Sequence, residues 1–250
     1  MPIEADRHQK RVIRDLFTRI ASRYDYINRV LSLGQDQRWR RAALRSAHLE
    51  TAPGAQPGRL LDVATGTGDL ALLALDQGPD LRVTGVDLTP AMLREARAKA
   101  RARKVAFPVT AGDGLALPFA TETFDAVTSA FMMRNVPDVE SAFREQARVV
   151  RSGGRVICLE MTWPRRFPLR WLFGLYFYIV PPLLGRLALG EREAYNYLPR
   201  SVKSFVDPNS LAQTMARAGL DDVSWRALMW GTVIIHTGIK MMPSDGGLSD

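Results

Sequence analysis

The residues with the most chemical potential sit in LLDVATGTGDLA, residues 60–71. An apolar run carrying Asp62 leads into Gly66-Thr67-Gly68 and then into a helix-forming stretch, so strand, tight turn and helix follow one another. Glycines let a backbone approach a ligand closely, and the following helix offers unpaired amides to a carboxylate or phosphate. A small polar ligand fits such a turn, and so does simple chain reversal. The all-glycine dinucleotide fingerprint is absent, because its third position holds Ala71. Two acids follow at the ends of later apolar runs. Asp87, beside Leu88, lies 25 positions beyond Asp62, where a carboxylate can accept both hydroxyls of a ribose. Ahead of Thr89-Pro90 it also fits a helix cap. Gly112-Asp113-Gly114 ends the next run and either receives an adenine amino group or only turns the chain. Glycine turn, acid and acid at three successive strand ends are what an adenosine-bearing ligand requires.

These positions need a frame. From residue 59 onwards apolar runs at 60–63, 81–86, 105–110, 124–130 and 155–160 alternate with helical patterns at 69–75, 90–101 and 139–150. The alternation predicts an α/β fold, a mostly parallel sheet with helices on both faces and ligands at the carboxyl ends of its strands. An amphipathic helix over 7–21, an Arg-rich helical stretch over 39–49 and a Pro/Gly-rich loop over 51–58 form a helical cap before it. After it, 164–190 breaks the rhythm with Trp171, Phe173, Tyr176, Phe177 and Tyr178, edged by Arg165, Arg166, Arg170 and Arg186. A helix over 208–218 and strands over 223–228 and 232–237 close the chain, and the tail over 243–250 is expected to fray.

The 250 residues suffice for one domain, with 46% hydrophobic and 24% charged residues, which argues against disorder, collagen and coiled coil. We divide it into a cap (1–57), a ligand-binding core (58–163), an insertion (164–206) and a closing segment (207–240). An excess of 34 Lys+Arg over 26 Asp+Glu, net +8, favours anionic partners. Cys158 is the single cysteine and the three histidines are scattered, so neither an intramolecular disulfide nor a zinc cluster is expected. With no signal peptide and no run of about 20 apolar residues, the chain is expected to stay in the reducing cytoplasm.

The glycine turn and two acids resemble class I S-adenosylmethionine-dependent methyltransferases, a Rossmann-like fold with a seven-stranded sheet. The resemblance narrows further with Phe17, Tyr24-Asp25, Asn28, Leu31-Ser32, Gly34, Trp39-Arg40, GTGD at 66–69, Leu117-Pro118-Phe119, Arg134-Asn135-Val136, Gly153-Gly154-Arg155, Tyr195 and Tyr197-Leu198-Pro199. Together they resemble the ubiquinone/menaquinone biosynthesis C-methyltransferase family over about residues 12 to 240. The resemblance implies S-adenosylmethionine as cosubstrate, bound through Asp62, Gly66, Thr67, Gly68, Asp87, Leu88, Asp113 and Gly114. The sequence departs from the family at Ala130, where a serine is common, and from the wider superfamily at Ala64, where the turn's first glycine stands.

The implied reaction places a methyl group on a ring carbon of a reduced polyprenyl demethylmenaquinol; the benzoquinol of the ubiquinone pathway is the alternative acceptor. Ring carbon attacks only when a neighbouring hydroxyl gives up its proton, so a proton acceptor is required and a metal is not. Arg134 and Asn135 are candidates to hold the quinol oxygen; Arg134 is too basic to take the proton. Tyr24 with Asp25, Tyr195 with Tyr197, and His236 are the candidate bases, each also fitting a structural role. Met132 and Met133 suit a pocket wall. Because the prenyl tail lies in a bilayer, 164–190 with its flanking arginines is expected to meet the inner face of the cytoplasmic membrane as a peripheral element. An RNA methyltransferase lacks support because no base-stacking aromatic motif follows the fourth strand; a non-catalytic quinone-binding protein is the rival of another class. Self-association stays open.

Overall fold

The computed structural model describes residues 2–49, 56–78, 80–164, 167–184 and 192–241. Seven strands, β1 (Gly58–Val63), β2 (Leu81–Asp87), β3 (Val109–Ala111), β4 (Phe124–Ala130), β5 (Val150–Met161), β6 (Leu220–Leu228) and β7 (Val233–Lys240), form one sheet in the order β3-β2-β1-β4-β5-β7-β6. The first five pair in parallel, and β7 runs antiparallel between β5 and β6. Strand order reverses between β1 and β4, the point at which such sheets open a crevice beyond their carboxyl ends.

Consecutive side chains of a strand face opposite ways, and β1 shows why both faces must be covered. Leu60 and Leu61 are both fully buried. Leu60 belongs to a core with Trp39, Leu72 and Ala96, from helices α3 (Asp36–Arg45), α4 (Asp69–Leu75) and α5 (Pro90–Arg103). Leu61 belongs to another with Phe143 and Met215, from α6 (Val139–Val149) and α9 (Pro208–Arg217). The helix starts follow local chemistry. Asp138 accepts from Ser141 N at 2.9 Å, Asp207 accepts from Asn209 N at 3.1 Å, and Pro90 opens α5. Helices α1 (Pro2–Ile20), α2 (Tyr24–Leu31), α7 (Leu169–Leu184) and α8 (Arg192–Ser204) complete the chain.

Several elements differ from expectation. The strand expected over 105–110 is only Val109–Ala111. Pro108 has no amide to donate, and Phe107 is buried in the core instead of lying in a strand. The Arg-rich helix begins at Asp36 and stops at Arg45, and 24–31 form a helix of their own, α2. The last two strands extend beyond the expected 223–228 and 232–237. Arg165, Arg166, Arg186, most of the 51–58 loop and the 243–250 tail lie outside the described residues.

Candidate active site

The crevice at the strand ends holds two adjoining cavities. The first, about 800 Å³, is lined by the ends of β1 (Val63, Ala64, Gly66), β2 (Asp87, Leu88, Thr89) and the turn after β3 (Gly112, Asp113, Gly114). The end of β4 adds Ala130, Phe131 and Met132, and α1 adds Lys10, Ile13 and Phe17. Three glycines at strand ends let backbone form its floor.

The turn after β1 is shaped by buried carboxylates. Ala64 has φ +55°, a left-handed conformation usual for glycine, and Gly66 and Gly68 follow at +58° and +83°. Asp62 lies beneath, accepting from Thr65 Oγ1 at 2.7 Å and Thr128 Oγ1 at 3.1 Å. Burial pushes its carboxyl up to about 6. Asp87 accepts Gly66 N at 2.8 Å and Thr89 N at 2.7 Å, tying the end of β2 to the glycine turn. It therefore braces the loop ahead of α5 and lines the cavity at once. Burial raises its pKa as well.

The first cavity fits S-adenosylmethionine. Each Asp87 oxygen has accepted one amide and keeps a second lone pair, so two hydroxyls can still be received there. Asp113 accepts Leu115 N at 3.0 Å and pairs with Lys10 Nζ at 2.8 Å. A Cβ at Gly114 would meet Met132 Cε at 2.2 Å, so any side chain there displaces Met132 from the wall.

Three of the residues expected to bind this ligand are not in the cavity wall. Asp62 works from below, Gly68 is the left-handed residue before α4, and Thr67 Oγ1 donates to Asp25 Oδ1 at 2.5 Å. Lys99 Nζ reaches the same Asp25 at 2.6 Å and also pairs with Asp69. Burial alone would raise the Asp69 pKa, but Lys99 and Arg40 bring it below the ordinary carboxylate value.

The second cavity, about 470 Å³, shares Tyr24 and Phe131 with the first. Its wall comes from α2 (Asn28, Leu31), Ser32, α3 (Asp36, Trp39, Arg40), Arg134, Met161 at the end of β5, Phe177 of α7 and Leu198 of α8. Apolar side chains share this wall with five polar ones, Asn28, Ser32, Asp36, Arg40 and Arg134. Arg134, in the short 3-10 turn Met133–Asn135, forms a buried ion pair with Glu160. Glu160 also accepts Met161 N at 2.8 Å. The Arg40 and Arg134 guanidiniums lie 5.4 and 5.7 Å from the Phe131 ring centre. Asn135 accepts from Tyr197 Oη at 2.8 Å and donates to Phe131 O at 3.0 Å. Burial raises the Tyr197 pKa.

The candidate bases part company here. Tyr24 stands where the cavities meet. Asp25 is held by Thr67 and Lys99 and lines neither cavity. Tyr195 is on α8 with its side chain outside the described residues. His236 is a correction: it is buried in the middle of β7, its Nε2 lies 2.8 Å from Pro208 O, and it lines neither cavity. Burial also lowers its pKa. Asp36, Arg40 and Glu160 were not singled out as site residues, because Asp36 and Arg40 meet Arg134 in one wall, and Glu160 pairs with Arg134, only across segments far apart in the chain. The sequence signal available was only the acid and arginine one helical turn apart, at 36 and 40.

The profile of the ubiE/COQ5 methyltransferase family matches residues 4–240. A demethylmenaquinone methyltransferase of Roseiflexus castenholzii is 44% identical over 228 residues, covering 91% of this chain and 93% of that protein. One of Thermus thermophilus is 46% identical over 223 residues, covering 89% and 99%. The crystal structure of a SAM-dependent methyltransferase from Aquifex aeolicus has the same fold, with a TM-score of 0.60 at 15% identity, covering 87% of this chain and 98% of that one. Matched over nearly its whole length, the chain belongs to the ubiE/COQ5 methyltransferase family and is an S-adenosylmethionine-dependent C-methyltransferase.

Proposed function

We propose that this enzyme methylates a ring carbon of a polyprenyl demethylmenaquinol held in the second cavity, while acting at a membrane surface. The observation that carries this reading is the second cavity, which adjoins the first and sets two buried guanidiniums among aromatic and aliphatic side chains. Bound S-adenosylmethionine supplies an electrophilic methyl group on a sulfonium. The chain's own residues must make the ring carbon nucleophilic, which means stabilising negative charge on the hydroxyl beside it. Arg134 and Arg40 are permanently cationic and stand in a water-poor wall, where such stabilisation is strongest. Glu160 fixes Arg134, and Tyr197 fixes Asn135. Tyr24 and Phe131 form the partition through which the two substrates face each other.

In this reading 58–163 is the donor core, and 1–57 and 164–206 cover the acceptor. Helix α7 serves two sides. Phe177 is buried at the cavity, whereas Trp171, Leu172, Leu175, Tyr178 and Ile179 are exposed. Among the described residues no helix is long and apolar enough to cross a membrane. An exposed apolar strip with Arg170 and Lys203 beside it suits the interface of a bilayer, where the prenyl tail enters.

The test is anaerobic incubation of the purified enzyme with methyl-labelled S-adenosylmethionine and two short-chain acceptors, a demethylmenaquinol and a 6-methoxy-benzoquinol. Mass spectrometry should find the label on the ring carbon of the naphthoquinol. Label only on the benzoquinol would reassign the acceptor, and label on neither would refute the reading.

A further inference from the structure

Every buried polar atom that lacks a partner had to give up water without replacement, which is unfavourable unless a ligand completes it. Among the described residues five such side-chain atoms exist, and three of them belong to one wall: Asp36 Oδ2, Arg40 Nε and Arg134 Nε. All three residues are part of the second cavity, and Asp36 is 2% exposed. One oxygen of Asp36 is held, accepting from Ser32 Oγ at 3.1 Å with Arg29 Nε at 3.5 Å. The other has no hydrogen bond; its nearest cation, Arg40 Nε, is 3.9 Å away.

One spare acceptor beside two spare donors is the complement of a hydroxyl that becomes an oxyanion. A neutral hydroxyl donates to the carboxylate, and once its proton has moved the oxygen accepts from the guanidiniums. The rival acceptors are engaged: Asp25 by Thr67 and Lys99, Glu160 by Arg134 and Met161 N.

We propose that Asp36 is the catalytic residue that takes the proton from the quinol hydroxyl next to the methylated carbon, with Arg40 and Arg134 holding the oxyanion. This rests on the acceptor being a quinol seated in the second cavity. The O–H bond breaks and its proton passes to Asp36 Oδ2. The freed electron pair enters the ring and forms the new carbon–carbon bond, while the methyl–sulfur pair stays with sulfur. The ring carbon then loses its hydrogen as a proton to water, restoring aromaticity, and Asp36 returns its proton to the oxygen. One proton is released for each methyl group transferred.

The test compares wild type with Asp36→Asn, which keeps the shape and cannot take the proton. Turnover on demethylmenaquinol at saturating donor should fall about 10² to 10⁴-fold, the usual range for losing a general base. Donor affinity by calorimetry should stay within twofold, which also reports that the variant is folded. With a ring-halogenated demethylnaphthoquinol, whose hydroxyl is more acidic, the loss should shrink to about tenfold or less, a rescue that a merely structural role would not produce. A second measurement needs no variant: the absorbance of the reduced product analogue 2-methyl-1,4-naphthoquinol bound to wild type should be that of the quinolate near neutral pH. Turnover of Asp36→Asn within threefold of an active wild type, equal losses on both acceptors, or a bound analogue that stays neutral in wild type would each overturn the assignment. A wild type inert toward both quinols would instead bring down the acceptor reading beneath it.

Discussion

Asp62 lines neither cavity, yet its carboxyl fixes the turn that walls the first one. Its two threonine hydrogen bonds and the distant Arg40 favour the charged form, but burial outweighs them and holds the pKa near 6 rather than 3.8. The folded state therefore keeps this proton at pH values where the unfolded chain has lost it. The contribution of Asp62 to stability therefore falls as pH rises from about 4 through 6, and its full cost, roughly 3 kcal/mol for two pKa units, is present at neutral pH. Asp62→Asn removes the titration while the hydroxyls of Thr65 and Thr128 can turn to serve an amide. Urea unfolding at pH 4.5 and 7.5 should show the variant gaining about 2 to 3 kcal/mol relative to wild type between the two conditions. An identical pH slope for both proteins would contradict the burial argument. Asp87 shows how one residue answers two readings. It receives Thr89 N ahead of α5 and Gly66 N of the glycine turn, and still lines the first cavity.

At the scale of elements, α1 illustrates what periodicity can and cannot reveal. Its apolar stripe was legible as an amphipathic helix packing on the body, but a stripe does not say what lies beneath it. In the structure Ile13 and Phe17 wall the donor cavity, and Lys10 closes on Asp113. Phe17 packs edge-on to Tyr24, with ring centres 5.9 Å apart, and against Ala91 and Met92. Because Phe17 is only partly buried, truncating it opens the wall without hollowing the core. Phe17→Ala should raise the S-adenosylmethionine dissociation constant about tenfold, or about 1.4 kcal/mol, in a calorimetric titration; an unchanged constant would make α1 a packing element only. The same contrast runs through the molecule. Strand β1, the glycine turn and α4 were readable because one contiguous segment carries the pattern. The second cavity was not, since Asp36, Arg134, Met161 and Phe177 meet only after the chain has crossed the sheet. Phe107 misled for a local reason: alternation of Val105, Phe107 and Val109 imitates a strand that Pro108 cannot continue.

For the whole molecule, the excess of basic residues and the placement of aromatic ones must be weighed together. A net charge of +8 alone draws a protein loosely to any anionic surface and is screened by salt. What would make the attachment oriented is the groove of Trp163, Phe167, Trp171, Leu175 and Tyr178, flanked by Arg170 and Lys203. Trp171 is 61% exposed and Phe167 84%, and neighbouring exposed aromatics of this kind mark contact surfaces. The groove runs along α7, the helix whose buried Phe177 lines the second cavity. Sedimentation should therefore show binding to phosphatidylglycerol vesicles and little to phosphatidylcholine vesicles, with the difference shrinking between about 0.1 and 0.5 M salt as screening shortens to a few ångströms. Trp171→Ser with Phe167→Ser should weaken binding at least tenfold at either salt, because buried aromatic area is indifferent to screening. Turnover on a short-chain acceptor in solution should be retained by the same double variant, since neither side chain lines a cavity at the strand ends. Vesicle binding equal to wild type would leave charge as the sole attraction and remove α7 from the membrane contact.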